Sequence, residues 1–262
     1  MLYAPAGQWT NSTPSGTSLV VTTASGAGRC LVLFLTSGTG TTRTFGVTDS
    51  AGNIWTQIAS KGIAAQNARV ECWIAPNAAA TTSVTVTVTS GTATSIGANV
   101  TAWAGLLTAS PVDTSTTTDN GAVISTSVAS GSLTPTQVGD LILVGLSYSG
   151  TSNTATLSGT PTPVWASYTA LTPVAITSGV NPTNLAVAYL QPAALDDTAY
   201  QAHWTLGSAA YAAGAVVALK TPEVAVTDIR GSVVGTTGGA LALAGLAGSI
   251  PNIAGSVTIT SR

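Results

Sequence analysis

The chain has 262 residues, which is enough for one large β-domain or two smaller ones with a buried hydrophobic core. Hydrophobic residues make up 45% of the chain and charged residues only 6%, and the formal net charge is -2 with seven Lys and Arg residues. So few basic side chains cannot form a stripe that neutralises phosphates, so the composition argues against binding to nucleic acid or to anionic lipid. The surface polarity must instead come from hydroxyl and amide groups.

The first residues, 1–5, contain neither a basic segment nor an apolar segment of the kind found in signal peptides, so no signal peptide is predicted. The longest apolar runs, residues 209–219 and 239–248, are rich in Ala and Gly. Both are shorter than the roughly 18–20 residues that cross a bilayer as a helix. We therefore expect synthesis in a cytoplasm and no membrane insertion.

Strand patterns dominate the chain. Residues 83–89 alternate strictly between Val and Ser or Thr, which is typical of a half-buried strand. Residues 30–35 and 141–146 are continuous apolar runs, which favour central strands buried on both faces. Clusters of Gly, Asn, Pro and Ser interrupt the chain every 8–12 residues or so, a spacing typical of β-sandwiches and barrels. The fold class predicted is all-β.

An internal repeat organises most of the chain. Residues 28–32 match residues 139–143 at an offset of about 111, and later matches hold an offset of about 116. We place repeat one at about 18–107 and repeat two at about 123–221. Each repeat could form its own sandwich, or the two together could form one jelly-roll sandwich over residues 1–221. We favour the single jelly-roll-type sandwich.

Residues 222–262 lie outside the repeat and form a β-rich segment too short and too rich in Gly to make a core alone. We predict an assembly arm that adds strands to a neighbouring subunit. The alternative is that the segment completes the sandwich of its own chain. Its principal apolar residues are Val224, Val226, Leu241, Leu243, Leu246, Ile250, Ile253, Val257 and Ile259.

Catalytic patterns are scarce. The single histidine, His203, lies in an alternating strand, and no nucleophile elbow accompanies it. Asp196 and Asp197 are the only adjacent carboxylates, and Asp49 begins a segment typical of a hairpin turn. We therefore predict a protein that is not an enzyme and that has no cofactor and no metal site.

The tryptophans and cysteines have two interpretations each. Trp55 matches Trp165 and Trp73 matches Tyr189 across the repeat, which favours roles in packing. Trp9 and Trp103 lack an aromatic counterpart, so they are our candidates for exposed residues that stack on a sugar. We expect Cys30 and Cys72 to be buried free thiols, with an inter-sheet disulfide as the alternative.

Four short motifs resemble β-sandwich modules of actinobacterial and phage proteins. They are residues 47–56 (VTDSAGNIWT), 73–80 (WIAPNAAA), 110–113 (SPVD) and 204–208 (WTLGS). The chain thus resembles, over roughly residues 18–220, the jelly-roll or lectin-like modules of phage minor tail proteins and of secreted carbohydrate-active proteins. That resemblance implies a fold and carries over no catalytic residue.

Three functional hypotheses follow. The first is a structural protein of a bacteriophage virion, either tail-associated (a minor tail or appendage protein) or a capsid decoration protein, with itself and other virion proteins as partners. The second is a carbohydrate-binding module or adhesin that recognises a host-surface glycan. The third is a hydrolase whose site the sequence does not reveal. We favour the first.

Overall fold

The computed structural model describes residues 4–39, 43–63, 66–137, 139–151, 153–158, 167–179, 181–191 and 199–222. Over these residues the chain is all-β, as predicted, and contains no helix. Residues Met1–Pro222 form one compact unit. The predicted assembly arm with its nine apolar residues, Trp165 and the Asp196–Asp197 pair lie outside the described residues.

The first half of the chain forms two antiparallel sheets. Its strands are β1 (Gly7–Gly16), β2 (Ser18–Thr22), β3 (Arg29–Ser37), β4 (Thr44–Asp49), β5 (Thr56–Gly62), β6 (Arg69–Ala78), β7 (Ser83–Ser90) and β8 (Thr94–Trp103). Sheet A has the order β1-β8-β3-β6-β5, and sheet B has the order β2-β7-β4. The continuous apolar run of residues 30–35 is therefore the central strand of sheet A.

The second half forms two further sheets. Its strands are β9 (Val112–Asp119), β10 (Ser125–Ala129), β11 (Leu141–Ser149), β12 (Ala155–Leu157), β13 (Thr169–Ala170), β14 (Val174–Ala175), β15 (Thr183–Leu190), β16 (His203–Ala210) and β17 (Ala212–Leu219). Sheet C has the order β13-β15-β11-β17-β9, with β14 also paired to β15, and sheet D has the order β10-β16-β12.

The two halves have the same strand order. Sheet C repeats sheet A when β9, β17, β11, β15 and β13 are set against β1, β8, β3, β6 and β5. The register also corresponds, since Leu31 pairs with Ala102 and Ile142 pairs with Ala218. No described sheet mixes strands of the two halves, which is the arrangement expected if each half forms its own sandwich. Strands β1 and β9 lie outside the predicted limits of the repeats.

Three hydrophobic layers hold the four sheets together. On β3, Leu33 and Leu35 point to the core shared with sheet B, whereas Val32 and Phe34 belong to the core shared with sheet C. On β11, Leu143 faces sheet A and Val144 belongs to the core shared with sheet D. The layers therefore follow the order B, A, C, D. Both central strands are covered on two faces, which explains why their sequences are continuously apolar.

Candidate binding surface

Two tryptophans lie in one row across the B-facing side of sheet A. Trp9 on the edge strand β1 pairs with Val100, Val100 pairs with Leu33, and Leu33 pairs with Trp73 on β6. Cross-strand neighbours lie about 4.8 Å apart, so the two tryptophans are about 14 Å apart across the sheet. Both are half-buried and contact the core beneath sheet B.

Trp9 lies flat along its own strand. Its indole ring occupies the space above Gly7, where a β-carbon would overlap it. The ring also packs against a small group consisting of Leu31, Ala75, Ala78 and Ala102, which extends beyond the side chains that sheet B covers. Trp9 is only half-buried, so part of its ring is in contact with solvent.

Trp55 packs against the same four residues, and a rigid turn holds it there. Its Nε1 donates to Asp49 Oδ2 at 2.8 Å, while Asp49 Oδ1 accepts the backbone N–H groups of Ala51 and Asn53 at 2.9 and 3.1 Å. Burial alone would raise the pKa of Asp49, but hydrogen bonds from Asn53, Trp55 and Ala51 lower it below the ordinary value. The hairpin turn predicted at Asp49 therefore orients an aromatic side chain.

Trp73 is oriented in the same way by a second carboxylate. Its Nε1 donates to Glu71 Oε2 at 2.8 Å. Glu71 is fully buried and is also paired with Arg69, whose Nε donates to Oε1 at 2.7 Å. The guanidinium group lies 5.7 Å from the centre of the Phe45 ring. We call Trp9, Trp55 and Trp73 together the tryptophan face. The sequence assigned Trp55 and Trp73 to packing, and both do pack at the margin of the core.

Trp103 does not belong to this face, and the prediction that it is exposed was wrong. It is 0% exposed and packs in the core between sheets A and C, where its ring meets Tyr189 edge-on at a centroid distance of 5.1 Å. Its Nε1 donates to Thr101 Oγ1 at 2.8 Å, so the polar atom is satisfied within the core. No ligand can stack on this ring in the folded chain.

Cys30 and Cys72 are buried free thiols, as expected, and the alternative of an inter-sheet disulfide is wrong. Both lie in sheet A. Cys72 pairs with Phe34, four residues along β3 from Cys30, which corresponds to about 13 Å. A disulfide requires Cα atoms within about 7 Å. Burial raises the pKa of Cys30 to about 12 and that of Cys72 well above its ordinary value, so neither thiol is reactive.

A cluster of charged side chains at the end of sheet C was not predicted from the sequence. Lys220 Nζ lies 3.8 Å from Asp113 Oδ1, and Asp113 lies close enough to the buried Asp140 for the two carboxyl groups to interact. In the sequence, Asp113 belongs to the SPVD motif and Asp140 to the repeated segment 139–143, and neither pattern indicates a charged cluster. The pairing register of three strands brings Lys220, Asp113 and Asp140 together, and that register cannot be predicted from a local sequence pattern.

The remaining candidate groups are dispersed. His203 lies on β16, and its Nε2 is buried without a hydrogen-bond partner. Over the described part of the chain, no three His, Cys, Asp or Glu residues are grouped so that they could hold a metal ion. The described ranges also contain no helix of the length and hydropathy needed to cross a membrane.

Comparison with known proteins adds no relative, because no family model, curated protein or solved structure matches this chain. The likeness to phage and lectin-like modules therefore rests on the four short motifs alone.

Proposed function

We propose that this chain is a non-catalytic structural protein of a bacteriophage particle, tail-associated or decorating the capsid, which acts by self-assembly. The observation that carries the non-catalytic part of the proposal is that most of the described carboxylates already have structural partners. Of the five Asp and Glu residues that the structure describes, four are held by neighbouring donors or cations: Asp49 in its turn, Glu71 by Arg69, Asp113 by Thr136 and Lys220, and Asp119 by Lys61.

The rest of the molecule fits a building block better than a catalyst. Charges make up only 6% of the residues, and the polar surface consists mainly of Ser, Thr and Asn, which resists changes in salt concentration. A segment of 40 residues with alternating apolar side chains follows the compact unit. Such a segment gains most by pairing with another subunit, and repeated copies turn weak single contacts into strong attachment.

The mass in solution tests the role of this segment. We expect the full chain to be an oligomer by light scattering and a version ending at Pro222 to be a folded monomer, because residues 223–262 supply the intersubunit contacts. A full-length chain with Leu241, Leu243 and Leu246 changed to Ser is the matched control, since it keeps the length and loses the apolar pattern. It should also be monomeric. A full chain that is itself monomeric would refute the assembly role.

A second function is favoured by the tryptophan face, namely binding of a carbohydrate as an adhesin or binding module. Sugars present apolar C–H faces that pack on aromatic rings, and two partly exposed indoles whose orientations are fixed can offer such contacts. Trp9 lies flat over Gly7, and Asp49 fixes the indole of Trp55. The same face would serve a virion that attaches to a glycan on its host.

Binding to a glycan array tests this second function. We expect Trp9→Ala and Trp55→Ala each to weaken binding by at least about tenfold, because an interfacial aromatic contact typically contributes more than 1 kcal/mol. Val123→Ala is the control, since Val123 is an exposed apolar residue of the second half of the chain, at 68% exposure. Equal binding by all four proteins, or no binding by the unaltered chain, would exclude the tryptophan face as a glycan site.

A further inference from the structure

Three neighbouring strands bring Lys220, Asp113 and Asp140 together. Strand β17 lies between β9 and β11 in sheet C, and Lys220 directly follows β17. Asp113 lies in β9 at the point where its register with β17 shifts, and Asp140 directly precedes β11. Leu219 and Leu141 face sheet A, so by alternation Lys220 and Asp140 lie on the opposite side of sheet C.

The geometry around Asp113 resembles that of an acyl group held for attack. Its side chain is only 2% exposed, and Lys220 Nζ lies 3.8 Å from Oδ1. The backbone N–H of Thr136 donates to Oδ2 at 2.6 Å, and the Thr136 hydroxyl donates to Oδ1. Two donors on one carboxyl group draw electron density from its carbon, and Lys220 Nζ is held next to the same carboxyl group, 3.8 Å from Oδ1.

Asp140 is a buried carboxyl group beside Asp113. It is 0% exposed, and neither of its oxygens receives a well-aligned hydrogen bond. Burial, reinforced by the neighbouring Asp113, raises the pKa of Asp140 to about 7 against the opposing effects of Gln137 and Lys220. A carboxyl group that exchanges its proton near neutral pH is suited to proton transfer.

We propose that Lys220 and Asp113 condense to form an intramolecular amide bond, with Asp140 as the group that moves the proton. The ammonium group of Lys220 first gives one proton, through Asp140, to Asp113, so that a neutral amine faces a neutral carboxylic acid. The bond from Nζ to the side-chain carbon of Asp113 then forms. A second proton passes from the nitrogen through Asp140 to the departing oxygen, which leaves as water. Charges and atoms balance without another reactant.

Two features favour the reaction over the salt bridge. The reacting groups are held within one fold, which replaces a bimolecular encounter by a positioned one with an effective concentration of about 10⁵ M or more. Asp113 and Asp140 are buried. The ion pair of Lys220 and Asp113 therefore loses hydration of its charges, a cost that the neutral amide does not have. The Lys220 side chain is 30% exposed, which leaves a path for the released water.

The bond would join β9 to the end of β17 covalently, two residues before Pro222. If residues 223–262 connect the subunit to an assembly, a pull on that segment would then load two strands instead of peeling β17 from its sheet. This consequence rests on the proposed function. The bond itself does not, and its test below is independent of any assembly.

The intact mass of the unfolded chain tests whether the amide bond between Lys220 and Asp113 forms. For protein first shown to be folded by circular dichroism, we expect a mass lower than the sequence value by about 18 Da, the mass of one water. Trypsin should no longer cut after Lys220, because an acylated lysine is not a substrate side chain. An intact mass equal to the sequence value, with normal cleavage after Lys220, would overturn the proposal.

Three variants assign the roles. Lys220→Arg keeps the positive charge and should restore the full mass, because the guanidinium group is not nucleophilic. Asp140→Asn should leave most of the chain uncondensed, whereas a role of Asp140 in packing alone would leave the mass deficit intact. Asp113→Asn should still react and lose ammonia, a deficit of about 17 Da. Full condensation in Asp140→Asn would remove Asp140 from the reaction.

Discussion

Replacement of Trp103 by alanine is expected to lower the free energy of unfolding by about 3–5 kcal/mol, as for other buried aromatic residues. Trp103 is among the largest fully buried side chains of the described residues and lies between sheets A and C against Tyr189. Its removal leaves a cavity between the two halves and also leaves the Thr101 hydroxyl without the indole N–H that donates to it. Urea denaturation followed by circular dichroism measures the loss.

Trp9→Ala is the matched control for this prediction, because Trp9 is half-buried at the edge of sheet A. It should cost distinctly less stability than Trp103→Ala, since part of its ring is already in contact with water. If the two variants were equally destabilised, or if Trp103→Ala were the milder, the assignment of Trp103 to the core and of Trp9 to the surface would fail.

The wrong prediction that Trp103 is exposed shows the limit of predicting burial from strand patterns. Alternation tells which residues share a face, and the continuous apolar runs at β3 and β11 did predict central strands. Strand β8, however, is buried at every position from Thr94 to Trp103, although it contains Thr, Asn and Gly as well as apolar residues. Sheet B covers β8 on one side and sheet C covers it on the other, so neither side of this strand is exposed to solvent. Strand patterns cannot predict this, because it depends on how many sheets are stacked.

The candidate sites depend on contacts that are distant in sequence. The turn at Asp49 was predictable from its residue types, and its hydrogen bond to Trp55 spans only six residues. In contrast, Lys220 and Asp113 meet only because β17 pairs with β9 in one register. Likewise, Cys30 and Cys72 fall on neighbouring strands but four rows apart, so composition alone left the disulfide undecided.

The packing of the two halves is tested most directly at Gly145. This residue lies in β11, and the Phe34 ring of β3 occupies the space that a β-carbon at Gly145 would need. Gly145→Val raises the local strand propensity, yet we expect a loss of about 3 kcal/mol in unfolding free energy, because the added side chain must push sheets A and C apart. Thermal and urea unfolding measure the loss.

A partner substitution distinguishes this clash from a general intolerance of the strand. In Gly145→Val combined with Phe34→Ala, the valine fills the space that the ring vacates, so the double variant should be more stable than the sum of the two single losses predicts. Gly26→Val is the control, since no atom lies within 4 Å of a β-carbon there, and it should change stability by less than about 0.5 kcal/mol. Strict additivity of the two core changes would contradict direct contact of Phe34 with β11. Coupling between the two changes would show that the two halves are in direct contact through the Phe34 ring and Gly145.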